Sequence, residues 1–241
     1  MKDRELDEIL KRAAQAPHDV DPAVLDRVAN SIGSSLRPVR PLPPRWVLAS
    51  GLILICVAVA LAGAARAGFY GIEELSVLER ALIFPVMGIL ICLAATACVS
   101  EMIPGTRRIV SPGILLGVGT LTLLAVFAFL FRDYRTEHFV SAGVVCLMTG
   151  LLHAVPTGLV SWWFLRRGFA VTSVAAGLVG GTLAGLAGVT MLELHCANFQ
   201  ALHILLWHTA VVPVSGAAGA LLAWVLRFRA DSAASERSTP K

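Results

Sequence analysis

Residues 46–66 read WVLASGLILICVAVALAGAAR, a run with no acidic residue and one arginine at its far end. At about 1.5 Å of rise per residue, a helix of this length crosses a bilayer core of about 30 Å. A segment in lipid must satisfy its own backbone hydrogen bonds, so the run is expected to be an α-helix. Five further blocks of the same kind follow, and the expected spans lie at about 46–66, 81–100, 111–131, 139–164, 169–192 and 203–226. The chain is 56% hydrophobic with a mean hydropathy of +0.75, above the roughly 45–50% of soluble domains. The excess is concentrated in these blocks. The fold class is therefore all-α: a polytopic membrane protein with a six-transmembrane-helix bundle and a short helical N-terminal segment.

Three regions follow from this pattern: an N-terminal helical segment with a proline-rich strap over 1–45, the transmembrane domain over 46–226, and a disordered tail over 227–241. The first span begins after some 45 mostly polar residues, so no cleaved secretory signal is expected. Six spans put both termini on one side. That side carries nine arginines (37, 40, 45, 107, 108, 166, 167, 227 and 229) against four (66, 80, 132 and 135) on the other. This asymmetry predicts N-in, C-in. The net charge of +4 is then mostly an orientation signal, held at the inner face by anionic lipid. No basic stripe is interleaved with aromatics, so nucleic acid is not an expected partner.

Within 1–45, residues 3–14 (DRELDEILKRAA) place Leu6, Ile9, Leu10 and Ala13 at helical spacing. Asp21-Pro22 offers an N-cap and a first-turn proline for a second helix. Val24, Leu25, Val28, Ile32 and Leu36 follow on one face of it. Residues 37–44, RPVRPLPP, read as a stiff polyproline-type strap. Two short amphipathic helices cannot build a core of their own. They require each other, the membrane surface, or a partner protein that takes them helix-in-groove.

The fifth span is rich in small residues. Gly177, Gly181 and Gly185 recur every four positions, as do Gly180, Ala184 and Gly188. Such spacing lets helix backbones approach closely. Ser215, Gly216, Gly219 and Ala220 of the sixth span look like a matching surface. Residues 72–79, IEELSVLE, are expected to form a short interfacial helix leading into the second span.

Specific chemistry is concentrated in residues 193–208, ELHCANFQALHILLWH, read together with Cys146. Of the five cysteines, Cys56, Cys92 and Cys98 sit within the first two spans and read as small hydrophobes. Cys146 and Cys196 both fall at the outer half, where an oxidising compartment would reach them. A disulfide needs their Cα atoms within about 7 Å. Cys146, Cys196, His203 and His208 also have the residue types of a transition-metal site. His203 and Trp207 share a face at i, i+4, whereas His203 and His208 at i, i+5 lie about 140° apart on an α-helix and form a poor chelating pair. His195 adjoins Cys196, Glu193 belongs to the outer loop, and His153, near the middle of the fourth span, is expected to hydrogen-bond between helices.

No phosphate-binding glycine loop, no Ser-His-Asp arrangement and no paired carboxylates within the spans are readable. A small transporter lacks its usual buried acid. A membrane thiol oxidoreductase using the same two cysteines lacks a Cys-x-x-Cys. Neither reading is preferred, and the chain is not expected to be an enzyme or to need a cofactor beyond a possible transition metal at the outer Cys/His site.

Residues 146–168, CLMTGLLHAVPTGLVSWWFLRRG, followed by the small-residue span, His195-Cys196, and His203 with Trp207-His208, resemble the NrsF family of six-span membrane proteins, the negative regulators of sigma F. The resemblance implies a membrane-bound anti-sigma factor in the bacterial inner membrane. It would sequester an extracytoplasmic-function sigma factor and release it on an outer-side redox or metal signal sensed by Cys146 and Cys196. His195, His203, Trp207 and His208 would belong to the same sensing site. The N-terminal segment would hold the sigma factor through Leu6, Ile9, Leu10, Val24, Leu25 and Val28.

Overall fold

A computed structural model describes residues 8, 11, 21–35, 43–103, 106, 110–136, 138–167 and 173–238. The chain divides into two units, Met1–Leu42 and Pro43–Lys241. Among the described residues there are helices and one isolated bridge, Asp133 to Gln200, but no strand.

In the first unit, helix α1 spans Pro22–Ser35. Its start follows the expected chemistry. Asp21 Oδ1 accepts from the Ala23 N–H at 2.9 Å and the Asp21 carbonyl accepts from Val24 N–H at 2.8 Å, while Pro22 occupies a first-turn position that needs no donor. Val24, Leu25 and Val28 are 44%, 56% and 49% exposed, so about half of this apolar stripe is open. Leu6, Ile9 and Leu10 lie outside the described residues, as does most of the proline-rich strap.

The second unit contains six helices long and apolar enough to cross a membrane. They are α2 (Arg45–Ala67), α4 (Val77–Met102), α5 (Pro112–Leu130), α6 (Phe139–Arg167), α7 (Ser173–His195) and a last composite span. That composite begins with one turn of α-helix, α8 (Ala201–His203), passes through a π turn (Ile204–His208), and continues as α9 (Thr209–Ser238). The six expected spans are thus present, with revisions at their edges.

The second span starts at Val77 rather than near 81. A capping box sets this boundary: Ser76 Oγ accepts from Glu79 N–H, and Glu79 Oε2 accepts from Ser76 N–H at 2.7 Å. The short helix expected over 72–79 is therefore α3, Tyr70–Glu74. The fifth span ends at His195 rather than 192, which moves Glu193 and His195 out of the loop and into the last helical turn. The last helix continues to Ser238, past the point at 226 where an unstructured tail is expected.

Helix α7 is the centre of the bundle: 72% of its apolar window is buried, against 17–50% for the other five spans. Its two small-residue stripes serve two different neighbours. A Cβ on Gly177 or Gly181 would strike the backbone carbonyl of Gly219 or Ser215, and one on Gly185 would lie 2.7 Å from Val212 Cα, so this stripe seats α9. Gly188 meets the Gly150 carbonyl and Gly180 faces Leu165 and Ser161, so the other stripe seats α6. Dispersion over closely apposed backbones holds such helices together where lipid supplies no hydrophobic drive. Cys56 and Cys98 are buried in this packing, whereas Cys92 is exposed on the outer surface of its helix.

Candidate functional site: a cysteine–histidine cluster at one end of the bundle

The chain enters and leaves the bundle at one end; the site lies at the other. There the N-terminal part of α6, the last turn of α7 and the start of the last span converge. Three contacts fix the loops that join them. Ala201 N–H donates to the Asp133 carbonyl at 2.6 Å. Phe131 and Phe199 stack with ring centres 5.6 Å apart. His195 Nδ1 lies 3.0 Å from the Gly68 carbonyl, and its ring faces Tyr70 at 6.0 Å.

Two glycines are required in the cover. Gly68 has φ 105, a region that a side chain disfavours. Gly71 of α3 lies directly on the α7 terminus, since a Cβ there would sit 2.6 Å from the Glu193 carbonyl and 2.9 Å from that of Cys196. Arg80 secures α3 from the next helix, its Nε donating to the Leu75 carbonyl at 2.8 Å and its Nη2 to that of Glu73 at 3.1 Å.

Beneath this cover the two thiols meet. Cys146 Sγ and Cys196 Sγ are 3.6 Å apart, and both cysteines are free. Cys196 Sγ lies 3.7 Å from His203 Nε2. With His208 included, one ligand atom from each of the four residues lies within 4.8 Å of every other. Cys196, His203 and His208 are buried and Cys146 is half-buried. The hydrogen bond with Cys146 and then burial push the Cys196 thiol above its ordinary range.

The expectation that His203 and His208 diverge is corrected here. Their ring centres are 5.2 Å apart, at 72° to one another. The reason is the π turn between them: Thr209 N–H reaches back to the Ile204 carbonyl, five residues away, so residues at i, i+5 come to one side. Pro213 loosens the ladder just beyond, because it has no N–H for the Thr209 carbonyl four residues earlier.

Glu193, expected in an outer loop, is a member of the site. Its Oε1 is 2.7 Å from His208 Nδ1, and both side chains are 1% exposed. The sequence signal was an acid inside the last apolar turn, TMLELH, followed closely by histidines. Trp207 is directed elsewhere: its indole fills the space over Gly143 and tilts against Phe139 at 5.7 Å. His195 binds Gly68 as described. His153 bonds the Thr149 carbonyl of its own helix at 2.8 Å, with its ring against Gly63 of α2 rather than a hydrogen bond between helices.

The arrangement joins two thiols, two imidazoles and a carboxylate where three helices meet, all buried except the half-buried Cys146. It can close a disulfide or gather around a cation, and either would tie α6 to the α7–α8 connection. No curated protein and no solved structure matches the chain. The family model NrsF, negative regulator of sigma F, matches residues 33–228, and on that match the chain belongs to this family of sigma-factor regulators.

Proposed function

We propose that this protein is an anti-sigma factor of the bacterial inner membrane, N-in and C-in, whose cytoplasmic residues 1–36 hold an extracytoplasmic-function sigma factor. A redox or metal signal at Cys146 and Cys196, on the outer side, releases it. The observation that carries this reading is the 3.6 Å approach of two free thiols fifty residues apart in the chain. The exposed Val24, Leu25 and Val28 stripe supports the docking half of the proposal, since a helix-in-groove partner would cover it.

A signal is transmitted only if it favours one packing of the bundle over another. Oxidation by a small disulfide joins the two Sγ atoms and passes two electrons and two protons to the acceptor, whose S–S bond breaks to give two small thiols. The bond formed between the two cysteines contributes about 2–4 kcal/mol, enough to invert an equilibrium biased by less than that. A cation held by both thiolates acts in the same direction. The close seating of α7 on α6 and α9 transmits the change, because closely packed backbones shift as units.

The test is co-purification of the full chain with its cytoplasmic partners, beside a variant lacking residues 1–36. The wild type is expected to bring down one sigma factor and the truncated chain none. Recovery of the same factor with both would remove the docking role. Turnover of a dithiol substrate by purified protein would instead make it an oxidoreductase.

A further inference from the structure

Glu193 is the one acid of the site, and nothing in the sulfur chemistry of a disulfide requires it. A buried carboxylate ordinarily has a task, because desolvating it is costly unless it is paired. Its partner is His208 Nδ1, which leaves His208 Nε2 buried with no hydrogen-bond partner. A histidine held by a carboxylate on one ring nitrogen, with the other nitrogen unpartnered beside two thiols, is the arrangement that presents a metal ligand.

We propose that Glu193 is the positioning residue of a four-ligand site for one soft divalent cation of the zinc class, held by Cys146, Cys196, His203 and His208. This rests on the sensing reading above and names what the site takes. The separations agree with it. Bonds of about 2.3 Å to sulfur give tetrahedron edges of about 3.8 Å between two sulfurs, and slightly less between sulfur and nitrogen. The sulfur–sulfur and sulfur–nitrogen separations in the site are 3.6 and 3.7 Å. The widest, 4.8 Å, closes by rotation of side chains on three separate elements.

Charge agrees as well. A divalent cation binding two thiols displaces two protons, and the resulting pair of thiolates cancels its charge, while Glu193 is partnered by His208 Nδ1. Thiolate and imidazole together select zinc-class ions over magnesium or calcium, which prefer oxygen. One of the four ligands depends on the wide turn: without it His208 would rotate off the side that His203 and Cys196 occupy. The π turn is thus the local device that makes the site four-coordinate, and Glu193 fixes the ring that the turn delivers.

The test uses the full chain in nanodiscs, reduced and stripped of metal by a chelator, titrated with cobalt(II) as a spectroscopic stand-in for zinc. The wild type is expected to bind one ion per chain with tetrahedral ligand-field bands and thiolate charge-transfer absorption, and magnesium not to compete. C146S and C196S each weaken the charge-transfer absorption, since each leaves one thiolate, and C146S/C196S abolishes it. E193Q binds about 10–100-fold more weakly, with E193D between it and the wild type. E193Q/H208A is no weaker than H208A alone, because the carboxylate acts only through that ring. Should E193Q fail to accumulate, E193D and the double variant carry the same comparison. Wild-type affinity in E193Q, or a loss that adds to that of H208A, overturns the positioning role. Failure of the wild type to bind cobalt, with Cys146 and Cys196 still joining under mild oxidation, overturns the metal site and leaves the thiol-sensing reading standing. Failure of both overturns the two together.

Discussion

Glu193 and His208, fifteen residues apart, form a 2.7 Å contact in which both side chains are 1% exposed. It joins the last turn of α7 to the end of the π turn and so closes the site from behind. Removing one member strands the other in a dry environment, at a cost of about 3–5 kcal/mol for buried pairs. E193A and H208A are each expected to lower the unfolding temperature of the detergent-solubilised protein. Their double variant falls by less than the sum, because the second change removes the stranded group. Additive losses would show that the two side chains do not act as a pair.

The seating of α7 against α9 makes a sharp contrast between glycines. A methyl group on Gly181 meets the Ser215 backbone, whereas one on Gly88 meets nothing within 4 Å. G181A is expected to cost about 1–3 kcal/mol through overpacking. G88A is expected to be neutral, or to gain up to about 1 kcal/mol from the lower entropy of the unfolded chain. Thermal melts of the two variants in the same detergent decide it.

Cys196 holds its proton more tightly than an ordinary thiol, first through its hydrogen bond with Cys146 and then through burial. Its alkylation is therefore slow at neutral pH. The rate climbs only as pH rises beyond the ordinary thiol value of about 8.5, because the thiolate is the nucleophile. In C146A that hydrogen bond is gone, the thiol ionises at lower pH, and the rate profile moves down the pH scale. Mass-spectrometric alkylation rates at Cys196 across pH read the shift. An unmoved profile in C146A would show that burial alone is responsible.

The exposed stripe of α1 separates binding from folding. L25D and V28D place charge on a face that is about half exposed, so the membrane domain should melt within about 0.5 kcal/mol of wild type, as surface changes do. Co-purification of the sigma factor should fall at least tenfold. Undiminished recovery would move the docking surface elsewhere.

The six spans were legible because crossing a bilayer imposes a length of consecutive apolar residues, a requirement met within each segment. The pairing of Gly177, Gly181 and Gly185 with Ser215 and Gly219 was legible for a similar reason: small residues at every fourth position mark one helix face. Span edges were less legible. Glu79 and Glu193 look like loop acids by composition, yet a capping box draws the first into α4, and His208 gives the second a buried partner in α7.

What consecutive residues determined by themselves was the membrane class, the number of crossings, the capped start of α1 and the types of ligand available. The convergence of those ligands was decided in three dimensions. Cys146 and Cys196 belong to different elements, and their approach depends on how closely α6 seats on α7. His203 and His208 diverge on any regular α-helix; one extra residue in a single turn brings them together, and α-helical spacing carries no sign of it.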